Sequence, residues 1–132
     1  LKESSFLTEI TARLKEQGIR VSIFLDASPR MVEGAASIGA DRVEFYTGPF
    51  AAQYRTDPRA AIAGHIAAAQ EASQLNVGVN AGHDLNLDNL RFYASMIPNL
   101  LEVSIGHALV CDALYYGLSN VIGMYQHQLR SI

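Results

Sequence analysis

The segment Arg42–Thr47 (RVEFYT) decides the fold of this chain, because polar and apolar side chains alternate along one extended run. Successive side chains of a β-strand point to opposite faces of the sheet. Glu44 and Tyr46 therefore share one face of the predicted strand. The opposite face carries Val43 and Phe45. This strand is predicted to cover a hydrophobic core with one face only.

Three further runs show the same division into an apolar face and a polar or small face, and a helical pattern follows each of them. These runs are Val21–Asp26, Asn76–Asn80 and Glu102–Gly106. Strands that alternate with helices predict βα units and a mostly parallel sheet. In a doubly wound sheet, helices cover both faces and the strands are apolar throughout. The pattern therefore favours an α/β chain with the (β/α)8 architecture of a TIM-type barrel, and a flavodoxin-like sheet is the alternative.

Helix signals separate the predicted strands. Two of the helices begin with a capping residue followed by proline, at Ser28-Pro29 and at Asp57-Pro58. The one long loop that we predict is Thr47–Thr56. The predicted helices run from Ser4 or Ser5 to Gly18, from Pro29 to about Gly39, from Pro58 to about Gln74, from Asn86 to about Met96, from Leu109 to about Leu118, and onward to Gln128.

Length and composition indicate a single unit over residues 1–132, with no internal domain boundary. Of the 132 residues, 49% are hydrophobic and 17% are charged, which is ordinary for a globular domain. A complete barrel has eight strands in ~250 residues. The four predicted βα units would form the last half of such a barrel. Because the chain begins at Leu1 and not at Met, we expect it to be a piece of a longer protein. A dimer of two half barrels is the alternative.

Charge and cysteine content exclude several classes of protein. The net charge is −3 and the ten Lys and Arg residues are scattered, so no nucleic-acid partner is expected. A single cysteine, Cys111, excludes an internal disulfide framework, and we expect it to be a small core residue. The four histidines lack metal-ligand spacing, so no metal is expected. No apolar run reaches the ~18 residues of a membrane helix, and we expect a cytoplasmic protein.

Residues capable of catalysis gather where the predicted strands end, which is where barrels of this class place their active sites. His83 follows Gly82 in such a loop. Its imidazole can transfer a proton near neutral pH, or it can simply hydrogen-bond the loop. Gly106 and His107 stand between the last strand and a helix. The free N–H groups there suit a phosphate, although a tight turn capped by the histidine would show the same sequence.

Glu44 is the most unusual residue of the sheet, because it places a carboxylate in mid-strand on the barrel-facing side. An unpaired buried charge costs several kcal/mol or shifts its pKa. Glu44 is therefore expected either to pair with a neighbour such as an arginine or to face a substrate. Glu102 has the same parity but begins its predicted strand, so we assign it a structural role, and we assign one to His65 as well.

Three motifs of this chain closely resemble the last three barrel strands of the pyridoxine 5′-phosphate synthase family. A fourth segment, Gly18–Asp26, is similar to the strand before them. The resemblance covers essentially the whole chain and about the C-terminal half of that family's barrel. The three motifs are Val43–Gly48 (VEFYTG), Val77–Leu85 (VGVNAGHDL) and Glu102–Leu109 (EVSIGHAL).

The resemblance implies an enzyme, a ring-closing transferase of vitamin B6 biosynthesis that uses no metal or redox cofactor. The family condenses 1-deoxy-D-xylulose 5-phosphate with 3-amino-2-oxopropyl phosphate, giving pyridoxine 5′-phosphate and inorganic phosphate. By matched position, His83 resembles the family's proton-donating histidine and Glu44 the carboxylate that supports the transition state. Gly106 and His107 resemble the binding site for the amino ketone's phosphate. Asp84 falls at a substrate-binding position that is glycine in some members.

The resemblance also implies that this chain carries only part of the site. The family's other acid/base residues, a histidine and a glutamate, come from earlier strands that are absent from this sequence. The isolated chain is therefore expected to be inactive. The family forms symmetric oligomers, so a homo-oligomer is expected. Two other functions stay open: a non-catalytic half barrel that binds phosphate, and a flavodoxin-like subunit whose Gly-His turns are only caps.

Overall fold

A computed structural model describes residues 4–130 of the chain. Helices and strands alternate along these residues, and two helices follow both the second and the last strand. The elements are α1 (Ser4–Glu16), β1 (Ser22–Asp26), α2 (Pro29–Ser37), β2 (Arg42–Tyr46), α3 (Gly48–Tyr54), α4 (Pro58–Gln74), β3 (Gly78–Gly82), α5 (Leu90–Met96), β4 (Leu100–Ser104), α6 (His107–Tyr116) and α7 (Leu118–Arg130).

The four strands form one parallel sheet in the order β1-β2-β3-β4. Strands that neighbour each other in sequence also neighbour each other in the sheet, as they do in a barrel. A flavodoxin-like sheet has the order 2-1-3-4-5, so that alternative is wrong. The fold is α/β and corresponds to part of a TIM-type barrel, as the strand pattern predicts.

The two faces of the sheet differ as expected. Val43, Phe45 and Val79 are fully buried on the face that packs against the helices. The other face presents a row of side chains that crosses all four strands in register: Phe24, Glu44, Asn80 and Glu102.

Both predicted cap-and-proline starts are confirmed. The Ser28 hydroxyl accepts from the Met31 backbone N–H at the start of α2, with an N···O distance of 3.4 Å. The Asp57 carboxylate accepts from the N–H groups of Arg59 and Ala60 at the start of α4. These caps satisfy N–H groups that have no partner inside their own helix.

The segment Thr47–Thr56, predicted as a loop, contains the short helix α3 instead. Its seven residues have little helical preference of their own, and tertiary packing stabilises them. The Phe50 side chain of α3 is fully buried, and its ring lies 4.9 Å from that of Tyr93, centroid to centroid. The loop prediction failed because it considered local signals only.

The starts of two helices differ from prediction, and the ends of α1, α2, α6 and α7 differ by two residues each. Helix α5 begins at Leu90 because the Asn86 side chain caps the preceding turn, accepting from the N–H groups of Asp88 and Asn89. Helix α6 begins at His107, two residues before the predicted Leu109.

Two expectations about single residues are wrong. Cys111 is exposed rather than part of the core, because α6 buries none of its residues among those described. Glu102 is the third residue of β4, since that strand already begins at Leu100. It therefore lies level with Glu44 across the sheet rather than at the strand's start.

His65 lies in the core, as expected. Its ring is surrounded by Phe45, Phe50 and Tyr93, and its Nδ1 atom lies 2.8 Å from the Tyr93 hydroxyl oxygen. Burial lowers the pKa of His65 to about 4. The imidazole is therefore neutral in the folded protein at pH 7.

Candidate active site

The loop after β3 brings His83 to the carboxyl end of the sheet. His83 has a φ angle of 49°, in the left-handed region that non-glycine residues rarely adopt. Its backbone N–H donates to the Ser104 carbonyl oxygen at the end of β4, at 3.0 Å. Gly82 allows this approach, because a Cβ atom there would overlap the same carbonyl oxygen. Glycine before the histidine is thus a steric requirement.

The His83 imidazole is held by its sequence neighbour. Its Nδ1 atom lies 2.8 Å from Oδ2 of Asp84, and its ring packs edge-on against Tyr46 at a centroid distance of 6.0 Å. A carboxylate accepts hydrogen bonds only, so Nδ1 carries the proton of this contact. The Nε2 atom is then the ring nitrogen available to a substrate, and the exposed side chain allows that access.

Glu44 occupies the middle of β2 on the same face as this loop, and it is partly buried. The ion pairs found within residues 4–130 leave it without a cationic partner. Burial raises the pKa of Glu44, and the charge of Glu102 raises it further, whereas His83 acts in the opposite direction. Of the two expected arrangements, the structure thus favours a carboxylate that faces the open side of the sheet.

The arginine nearest to Glu44 in sequence, Arg42, is engaged elsewhere. Its Nη1 atom lies 3.0 Å from Oδ1 of Asn80 and 2.9 Å from Oε2 of Glu102. Arg20 approaches the same Glu102 oxygen at 3.6 Å. The structural role expected for Glu102 is thus an ion pair with two guanidinium groups, those of Arg42 and Arg20.

Gly106 and His107 form the junction between β4 and α6. Helix α6 begins without a side-chain cap at Gly106, which is exposed and has open space where a Cβ atom would stand. His107 is the first residue of the helix and is also exposed. The uncapped N–H groups of this first turn can donate to an anion, which the helix dipole also favours.

Asp84 does not offer a free backbone N–H group to a phosphate. Its backbone N–H donates to the Thr47 hydroxyl oxygen at 3.1 Å, and its carboxylate contacts His83. Both groups are therefore engaged before any substrate binds.

The sequence placed Thr47 at the end of a predicted strand but gave it no role in this site. Thr47 directly follows β2 and continues the apolar face of that strand. A buried hydroxyl needs a hydrogen-bond partner, and that need was the available signal. Within residues 4–130, no cluster of three or more His, Cys, Asp or Glu side chains is arranged to hold a metal ion. Over the same range, none of the helices has the length and apolarity needed to cross a membrane.

The sheet order and the position of these residues define the chain as part of a (β/α) barrel with a candidate active site at the carboxyl ends of its strands. Comparison with known proteins gives the particular family: the chain belongs to the family described as pyridoxal phosphate biosynthesis protein PdxJ, which matches residues 1–131.

Curated relatives carry the name pyridoxine 5′-phosphate synthase. The protein of Cytophaga hutchinsonii is 55% identical over 130 residues, which cover 98% of this chain and 55% of that protein. The protein of Flavobacterium johnsoniae is 48% identical over the same shares of the two chains. The protein of Bacteroides thetaiotaomicron is 51% identical over 125 residues, 95% of this chain and 53% of that protein. The chain thus spans about half the length of the curated relatives it matches.

Proposed function

We propose that the protein carrying this chain is a pyridoxine 5′-phosphate synthase. It would condense 1-deoxy-D-xylulose 5-phosphate with 3-amino-2-oxopropyl phosphate to form pyridoxine 5′-phosphate and inorganic phosphate. The observation that carries the proposal is the placement of His83 and the start of α6 at the carboxyl end of the sheet, with Glu44 in mid-strand on the face that His83 shares, in a chain of this family. The remaining acid/base groups would come from the other half of the barrel.

Gly106 and His107 are the proposed binding site for the phosphate of the amino ketone. Supporting this role, α6 begins without a side-chain cap and both residues are accessible. The N–H groups of a helix start bind phosphate through hydrogen bonds and a favourable dipole. A phosphate held there would orient the reacting carbons of the same substrate, because remote binding energy is used for positioning.

His83 is the proposed proton-transfer residue, whose Nε2 atom accepts a proton in one step and donates it in a later one. Ring closure requires an imine, dehydrations and loss of phosphate, and each of these steps moves protons. The contact of Nδ1 with Asp84 supports the role, since it leaves Nε2 of the exposed ring as the nitrogen that can exchange a proton with a substrate. Asp84 remains a proposed contact of the substrate pocket, and it would act there from its place beside the imidazole.

Glu44 is the proposed carboxylate that stabilises the transition state. Its position without a cationic partner among the described residues supports this role, because an uncompensated negative charge attracts positive charge that develops on a substrate. The proposed partners are small phosphorylated substrates and further copies of the chain. The proposed location is the cytoplasm, and no metal or redox cofactor is proposed.

The test is an assay of the complete natural protein with both phosphorylated substrates, detecting pyridoxine 5′-phosphate. We expect turnover, and we expect His83→Asn to lower kcat by about 10²- to 10⁴-fold while substrate binding changes little. His127→Asn, at an exposed helical site, is the matched control. Phosphate binding without any turnover would overturn the proposal in favour of a non-catalytic binding module.

A further inference from the structure

Thr47 occupies an unusual position between β2 and α3. It is the residue that precedes α3, where a threonine normally caps the first N–H groups of the helix with its hydroxyl. No such side-chain cap is formed here. The side chain is instead fully buried and is directed at the end of the neighbouring strand β3.

The Thr47 hydroxyl holds the two peptide groups that flank His83. It donates to the Gly82 carbonyl oxygen, which belongs to the peptide group before His83. It also accepts from the Asp84 backbone N–H, which belongs to the peptide group after His83, at 3.1 Å. One hydroxyl thus fixes both sides of a single Cα atom.

These two bonds matter because the backbone of His83 is in an unfavourable conformation. A left-handed φ such as the 49° of His83 costs roughly 1–2 kcal/mol for an L-residue, so surrounding contacts must maintain it. The bond from the His83 N–H to Ser104 supplies one contact, and Thr47 supplies the other two. Together they set the direction in which the Cα–Cβ bond of the histidine points.

We infer that Thr47 is the positioning residue for His83, acting through the backbone of the β3 loop rather than by touching the substrate. The inference rests on the proposed function, in which His83 transfers a proton. Loss of the hydroxyl frees the loop to relax from its left-handed conformation, and the imidazole then leaves its place between Tyr46 and Asp84. Displacement of a catalytic group by about 1 Å can reduce turnover about 10²-fold.

The test compares Thr47→Ser with Thr47→Val in the complete natural protein. Serine keeps the hydroxyl and loses a methyl group, whereas valine keeps the shape and loses the hydroxyl. We expect the valine variant to lose about tenfold to hundredfold in kcat. We expect KM for both substrates to stay within about threefold, and the serine variant to keep most of the activity. Thr47→Ala replaces the valine variant if the latter does not fold.

Thr11→Val is the matched control, because Thr11 is also buried but lies in α1, away from the strand ends. It should leave kcat unchanged. Equal losses in the serine and valine variants would assign the effect to packing and overturn the inference, as would full activity of the valine variant.

A measurement independent of turnover separates this inference from the proposed function. Nitrogen NMR of the His83 ring should show one tautomer, protonated at Nδ1, in the unaltered protein and in Thr47→Ser. The valine variant should show averaged tautomers, while the signals of His65 stay unchanged. The same His83 signals in all variants would overturn the positioning role even if the protein proves to be a synthase. A protein without synthase activity whose His83 signals change as expected would overturn only the proposed function.

Discussion

At the scale of single residues, the site depends on which charged groups are paired and which are not. Arg42 and Arg20 both contact Glu102, whereas none of the ion pairs among residues 4–130 includes Glu44. Burial and the Glu102 charge then raise the pKa of Glu44. A carboxyl whose pKa is raised by folding binds more protons in the folded state, and its contribution to stability falls as pH rises through its pKa values. At neutral pH, Glu44 is therefore expected to be unfavourable for folding.

This reasoning predicts opposite effects of Glu44→Gln on activity and stability. Glutamine keeps the shape and removes the charge, so the melting temperature should hold or rise while kcat falls by about tenfold or more. Thermal unfolding and the synthase assay on the same samples check this. Glu33→Gln, at an exposed position of α2, should change neither quantity. A large drop in melting temperature with retained activity would contradict a functional role for Glu44.

The sequence was sufficient to place His83 and Glu44, but not to describe their surroundings. Strand parity predicted the face of Glu44, and the Gly-His pair predicted the loop of His83. The Thr47 hydroxyl forms hydrogen bonds to the peptide groups on both sides of His83. These bonds join residues far apart in sequence, and no local pattern contains them. The same holds for Arg42, whose partners Asn80 and Glu102 come from two other strands.

At the scale of elements, predictions succeeded where a local chemical signal marks a boundary. Ser28-Pro29 and Asp57-Pro58 begin helices because caps and prolines act within one turn. Helix α3 has a proline start too, yet it depends on Phe50 packing against Tyr93, which the sequence does not display. Tertiary contacts decide whether so short a helix forms.

The start of α6 allows a direct test of the proposed phosphate site. A Cβ atom at Gly106 meets no neighbour, so Gly106→Val should fold normally. The side chain would stand beside the N–H groups that are proposed to bind phosphate, so KM for 3-amino-2-oxopropyl phosphate should rise by about tenfold or more. Gly123→Val in α7, where a Cβ atom also meets open space, is the matched control. An unchanged KM in a folded Gly106→Val variant would exclude the site.

Burial of the His65 side chain of α4 predicts that the stability of the protein depends on pH. His65 has an unfolded-state pKa near 6.5 and a folded-state pKa of about 4. The unfolded state therefore binds the extra proton between these values, and stability falls as pH drops through that range. Lowering the pH from 7 to 5 should reduce the free energy of unfolding by about 2 kcal/mol through this residue.

Denaturant unfolding at pH 7 and pH 5 measures this effect. His65→Gln should remove most of that pH dependence, because glutamine does not titrate and can still hydrogen-bond the Tyr93 hydroxyl. His127→Gln, which changes an exposed histidine, should retain it. If the two variants show the same dependence on pH, His65 is not the titrating group.

At the scale of the whole molecule, the described residues form a sheet with two unpaired edges. Among residues 4–130, β1 pairs with β2 alone and β4 pairs with β3 alone. Beyond β4, helices α6 and α7 expose large apolar side chains, with Leu114 at 82% and Tyr115 at 85% exposure. Open strand edges and apolar patches of this kind promote association with further strands or other chains.

A polypeptide of these 132 residues alone is therefore predicted to associate and not to make pyridoxine 5′-phosphate. The physical reason is the pair of open edges, and the chemical reason is that the proposed function takes its remaining acid/base groups from the other half of the barrel. Catalytic groups that act as a unit cannot replace one another. Half of the set is therefore expected to give far less than half of the rate.

The measurement combines the oligomeric state of the pure chain, by light scattering, with an assay on both phosphorylated substrates. Addition of a separately produced N-terminal half from a relative such as the Cytophaga hutchinsonii protein should restore turnover, because the two halves would share one core. The same half carrying a disrupted first strand is the control and should restore none. Sustained turnover by the 132 residues alone would mean that His83, Glu44 and the start of α6 complete the site without further strands, and the half-site interpretation would then be wrong.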